Sequence, residues 1–138
     1  MGRQFRTSKH MTERIVAVDD EKAIRDIISA ILNSAGYQCK AVESGLDALA
    51  MLAAGEEFDL LLTDMINWPM DGFSLLVRMK EKFPDIPVVV ASAVHDNALA
   101  ETCIRNGACE YLFLPFDREQ LLATVNRALK REKEATKQ

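Results

Sequence analysis

Residues 60–72 read LLLTDMINWPMDG. Leu60, Leu61 and Leu62 carry an extended run inward, Asp64 stands where that run ends, and Asp71-Gly72 opens the next periodic segment. A short, continuously apolar run of this kind is the pattern of a strand buried on both faces. An ionised carboxylate at the end of such a strand loses much of its hydration. It therefore needs hydrogen bonds, a cation, or a place on the solvent side of the sheet edge.

Working outward, the same pattern recurs. Arg14 to Val18 (RIVAV) is an apolar, β-branched run that ends abruptly in Asp19-Asp20-Glu21, a first strand with acids at its carboxyl end. From Lys22 to Ala35, Ile24, Ile27, Ile28, Ile31 and Leu32 recur at helical spacing, with Gly36 where a C-terminal cap belongs. Residues 37–42 form a more polar strand suited to a sheet edge. Ser44 and Asp47 start a helix that runs through Ala53. The third strand spans residues 58–63, and the helix after the central segment runs from about Phe73 to Phe83. Beyond Pro84 and Pro87 lie a fourth strand at 88–91 and a short helix from about Asn97 to Arg105. A fifth strand at 110–114 precedes a last helix, capped by Asp117 with Gln120, whose inner face is Leu121, Leu122, Val125 and Leu129.

Five strands alternating with five helices predict an α/β fold of three layers, a parallel sheet covered on both faces by right-handed crossovers. The order 2-1-3-4-5 puts the two most acidic strand ends side by side at the topological switch point, where ligands of open α/β sheets bind.

The 138 residues fit one domain with a core of its own. We read residues 13–131 as that domain. Residues 1–12 read as a disordered arm or an added remnant, with Met11 a candidate start, and 132–138 as a tail or truncated linker. Cys39, Cys103 and Cys109 are odd in number and lack metal-ligand spacing, so they are expected as buried, reduced thiols. No apolar run reaches the roughly 18 residues of a membrane span, and a cytoplasmic location without membrane contact is expected. The net charge of −4 hides an asymmetry. Residues 1–14 and 126–138 each carry a surplus of three positive charges, which leaves the body near −10. Nucleic acid is a poor partner for such a body; a cation or a basic protein surface suits it better.

At the strand ends stand Asp19 and Asp20, Asp64, Ser92 and Leu114. On adjacent strands about 4.8 Å apart, three carboxylates share one crevice, and like charges so close cannot all stay ionised unaided. A hard divalent cation resolves this. Mg2+ takes oxygen ligands and keeps waters that phosphate oxygens can replace, so the pattern points to metal-dependent phosphoryl transfer with an aspartate as nucleophile. Simpler readings stand beside it. The acidic triplet could be an N-terminal helix cap, Ser92 a turn hydroxyl, Tyr111 a packed strand aromatic, and His95 a solvated residue with a metal or proton-relay role as the minority reading.

VDDE at 18–21, Asp64 followed by Met70-Asp71-Gly72, Ala91-Ser92-Ala93, and Tyr111 with Pro115-Phe116 together resemble the receiver domain of bacterial two-component response regulators, a flavodoxin-like fold. The resemblance spans Arg14 to Lys130. It implies a signalling domain rather than an enzyme, with Asp64 accepting a phosphoryl group from a cognate histidine kinase or phosphotransfer protein. Asp20, Asp64 and the main-chain carbonyl of Ile66 would hold Mg2+, with Asp19 acting on it through a metal-bound water, and Ser92 and Tyr111 would act as switch residues. The surface of the fourth helix, fifth strand and fifth helix would be read by a downstream protein, by an output domain beyond this chain, or by a second copy in a homodimer.

Three features depart from the family. Leu114 stands where the family has a lysine before Pro-Phe; Pro69 falls one residue late in the loop, with Trp68 before it; and apolar Ile66 and Val94 flank the expected path of water, which implies slow hydrolysis of any phosphoryl group. The missing lysine implies weaker phosphoryl retention or poor coupling to Ser92 and Tyr111. The alternative it raises is an atypical receiver that acts as a phosphorylation-independent interaction module. A metal-dependent phosphatase or flavin-binding protein ranks last, since no glycine-rich phosphate loop follows the first strand.

Overall fold

The computed structural model describes residues 12–66 and 70–136. Five strands, β1 (Arg14–Val18), β2 (Gln38–Val42), β3 (Leu60–Thr63), β4 (Val88–Ser92) and β5 (Glu110–Phe113), alternate with helices α1 (Lys22–Ser34), α2 (Gly45–Ala53), α3 (Gly72–Lys82), α4 (Asn97–Arg105) and α5 (Arg118–Thr136). All pairings are parallel and the order is β2-β1-β3-β4-β5. This is the architecture expected from the alternation of patterns, with the polar strand β2 at an edge.

Alternate residues of each central strand enter opposite cores, which is why these strands read as continuous apolar runs. Val16, Val18, Leu61, Val88 and Val90 pack with Met51, Leu75, Leu76, Met79 and Cys103 of α2, α3 and α4. Ile15, Ala17, Leu60, Leu62, Val89 and Ala91 pack with Ile28, Leu32, Leu121, Val125 and Leu129 of α1 and α5.

Some expectations need correction. Ile27 is 52% exposed; the inner face of α1 rests on Ile24, Ile28, Ile31 and Leu32, because Ile27 lies too far round the helix. β3 begins at Leu60, two residues later than expected. Phe58 is buried in the core, yet the Asp59 N–H only begins the approach to β1 by donating to the Arg14 carbonyl. Cys103 is buried as expected, but Cys39 and Cys109 are only half-buried; all three are free thiols. The last helix, α5, runs to Thr136. The readings of residues 1–11 and of Trp68 and Pro69 lie outside the described residues.

Candidate functional site

Strand register builds the site. Val18 lies opposite Thr63, and the Asp64 N–H donates to the Val18 carbonyl at 3.1 Å. The next residues outward, Asp19 and Asp64, therefore emerge side by side at the carboxyl end of the sheet. The Asp19 N–H donates to the Val42 carbonyl of β2 at 3.1 Å, which anchors the acidic turn from the other side. Carboxylate oxygens of Asp19, Asp20 and Asp64 lie within 4.8 Å of one another, the metal-type acidic cluster found among the described residues.

The reading of Asp19-Asp20-Glu21 as a helix cap does not fit. The N-cap of α1 is Glu21, and its side chain makes no capping hydrogen bond. Asp19 is instead buried, with Oδ1 accepting the Glu21 N–H at 2.9 Å. Its pKa is raised, first by burial and then by Asp20 and Glu21; the Glu21 N–H and the Arg25 guanidinium oppose the rise.

Asp64 is half-buried, and its pKa is pushed up to about 6, chiefly by burial and by the charge of Asp19. The main-chain N–H groups of Met65 and Ile66 point at its carboxyl and hold the value down, while Asp20 raises it further. No lysine or arginine stands among these influences. Ile66 is 66% exposed on the loop after β3. The loop returns tightly: the Gly72 N–H donates to the Met65 carbonyl at 2.8 Å. A Cβ at Gly72 would sit 2.3 Å from the Asp64 carbonyl oxygen, so only glycine fits where α3 begins. Asp71 caps that helix by accepting the Ser74 N–H at 2.7 Å.

Ser92 is buried at the end of β4, and its Oγ accepts the Val94 N–H at 3.1 Å. Tyr111 is half-buried on β5. Its hydroxyl donates to the Val94 carbonyl at 3.1 Å and also meets the Ser92 side chain. The two residues are thus joined through one loop. Burial raises the phenol's pKa.

Leu114 is half-buried; its N–H donates to the Ser92 carbonyl at 2.9 Å. Its carbonyl meets Nε2 of His95. His95 is exposed, but the reading of a merely solvated residue missed this contact and the Phe113 ring 4.8 Å from its own. Nothing in the sequence pairs residues 95 and 114; strand adjacency does. Arg25 was also missed: Nη1 donates to the Asp19 carbonyl at 2.9 Å. The available signal was a cation in the first turn of a helix, where the dipole disfavours it.

An open parallel sheet with helices on both faces and an acidic cluster at the β1/β3 switch point defines a doubly wound α/β protein with its candidate ligand site at the strands' carboxyl ends. The chain belongs to the response regulator receiver domain family, whose profile matches residues 15–126. It is 38% identical over 112 residues to the DNA-binding transcriptional regulator NtrC of Proteus hauseri, covering 81% of this chain and 24% of that protein. It is 36% identical over 118 residues to the response regulator protein FleR of Pseudomonas aeruginosa, covering 85% of this chain and 24% of that one. Among solved structures, NtrX from Brucella abortus superposes with a TM-score of 0.86 at 30% identity, over 92% of this chain and 29% of that one. The signal receiver domain of an HD domain-containing protein from Pseudomonas fluorescens Pf-5 gives 0.82 at 26% identity, over 89% and 98%. The chain spans about a quarter of the length of NtrC and FleR. It is a receiver domain of two-component signalling, and no helix among its described residues is long and apolar enough to cross a membrane.

Proposed function

We propose that this receiver domain accepts a phosphoryl group on Asp64 from the phosphohistidine of a histidine kinase or phosphotransfer protein, with Mg2+ held by Asp19, Asp20, Asp64 and the Ile66 carbonyl. The observation that carries the reading is three carboxylates within 4.8 Å of one another, one of them with its pKa pushed up to about 6 by burial and by the charge of Asp19. The donor set fits the ion: Mg2+ prefers hard oxygen ligands, and Asp19, Asp20 and Asp64 present carboxylate oxygens within 4.8 Å of one another. When bound, the ion supplies charge neutralisation for the anionic groups gathered there.

The remaining chemistry belongs to this chain. A carboxylate oxygen of Asp64 forms the new bond to phosphorus as the phosphorus–nitrogen bond of the phosphohistidine breaks. The Met65 and Ile66 N–H groups, already aimed at that carboxyl, stay with it. Ser92 would turn its hydroxyl from the Val94 N–H to a phosphoryl oxygen. That exchange disturbs the loop on which Tyr111 rests and so alters the α4-β5-α5 surface, read by a downstream protein, an attached output domain or a second copy.

Incubation with Mg2+ and a small acyl phosphate, followed by intact-mass measurement, should add one phosphoryl group to the wild type and none to Asp64→Asn. An unchanged wild-type mass, together with partner binding insensitive to Asp64→Asn, would instead establish the phosphorylation-independent module that Leu114 raises.

A further inference from the structure

Arg25 is the fourth residue of α1, and its setting differs from that of the other arginines. Its side chain is 15% exposed, against 69% for Arg105 and 53% for Arg127 and Arg131. Nη1 reaches the Asp19 carbonyl at 2.9 Å, and Nη2 lies 3.7 Å from Oε2 of Glu43, just past β2. The helix gives no reason for a cation here. The N-terminal dipole disfavours positive charge, and no acidic residue occupies the first turn to offset it. Nor does the Glu43 pair explain it, since Glu43 is 74% exposed and such pairs contribute little. The short contact is the one to the acidic turn, which the Glu21 N–H closes from the other side on Asp19 Oδ1 at 2.9 Å.

We propose that Arg25 is a positioning residue for the cation site: by fixing the Asp19 main-chain carbonyl, its guanidinium holds the Asp19–Glu21 turn so that the Asp19 and Asp20 carboxylates converge with that of Asp64. The proposal rests on the reading that this cluster takes Mg2+. It also has a sign that separates it from a plain charge effect. A nearby positive charge repels Mg2+, so if Arg25 acted only as a charge, removing it would tighten binding. If it orients the ligands, removing it weakens binding, and outer-shell partners of metal ligands are typically worth about 10- to 100-fold in affinity.

The test is a Mg2+ titration of the full chain followed by amide chemical shifts, near neutral pH, in the wild type, Arg25→Gln and Arg25→Lys. Amides of the distant α3–β4 region report that each variant is folded. We expect a Mg2+ dissociation constant raised about tenfold in Arg25→Gln. Arg25→Lys should fall between, because an ammonium keeps the charge and one donor but not the planar fork. Should the glutamine variant fail to fold, the lysine variant decides. Affinity equal to or tighter than wild type in a folded variant overturns the proposal and leaves the phosphoacceptor reading intact. Absence of saturable Mg2+ binding in the wild type overturns both.

Discussion

Asp64→Asn should stabilise this protein near neutral pH in the absence of divalent cations, although it removes a charge from the centre of the site. Folding lifts the Asp64 pKa from 3.8 to about 6. Two units correspond to about 3 kcal/mol at most. The carboxyl is only half-buried and partly screened by solvent, which reduces this to about 1–1.5 kcal/mol. The direction follows from proton binding. Between 3.8 and about 6 the folded state holds a proton that the unfolded chain has released, so stability falls as pH rises through that window. The cost is complete above about pH 7 and absent below the unfolded pKa. Asparagine never carries it, and its Oδ1 still accepts the Met65 and Ile66 N–H groups. Urea denaturation followed by circular dichroism, at low salt with a chelator, should show the variant more stable by about 1–1.5 kcal/mol near pH 7.5, with the gap shrinking towards pH 4.5. Added Mg2+ should narrow or reverse the gap, because the ion stabilises the state it binds and Asp64 is one of its proposed ligands. A variant less stable than wild type near pH 7.5, or a difference that does not change with pH, would refute the reasoning.

Gly72→Ala should cost about 3 kcal/mol in the same denaturation assay, since its Cβ would meet the Asp64 carbonyl oxygen at 2.3 Å and the Met65 Cα at 2.8 Å, both main-chain atoms that cannot step aside. Leu114→Lys should place a cation beside the acidic site, lowering the Asp64 pKa towards the ordinary carboxylate range, as followed by carboxyl carbon shifts across pH. The same variant should lengthen the lifetime of any phosphoryl group in the mass assay; a pKa still near 6 would show that Leu114 does not face the carboxyl.

The fold was legible because both faces of the sheet are covered. Val88, Val89 and Val90 all read as core because alternate residues enter opposite cores, and the acidic ends of β1 and β3 marked the switch point. Helix starts were equally plain. Asp117 and Gln120 exchange reciprocal hydrogen bonds at 2.8 and 2.9 Å, the box their spacing announces. What the sequence hid depends on which strands become neighbours or on the angular position of a residue round a helix. Ile27 shares its type with Ile28 but not its face. The meeting of His95 with Leu114 spans 19 positions and depends on β4 lying beside β5. Arg25 reads as one more charge on an amphipathic helix until its guanidinium is seen to turn back on Asp19.

The charge around the acidic cluster is one-sided, and this bears on what a receiver without the β5 lysine can do. On the β1 side Arg25 donates to the Asp19 carbonyl; just past β5 stands Leu114, whose side chain carries no charge. Its main chain compensates in another way, donating to Ser92 and receiving His95, while Tyr111 closes on Val94. The loops after β4 and β5 are therefore tied by hydrogen bonds, each contributing about 1 kcal/mol. If a phosphoryl group forms on Asp64 as proposed, the Ser92 hydroxyl would be drawn away from the Val94 N–H, and the change would pass to the α4-β5-α5 surface from there. Coupling would then run through that hydroxyl and the loop it holds, so replacing Ser92 should uncouple the surface from phosphorylation.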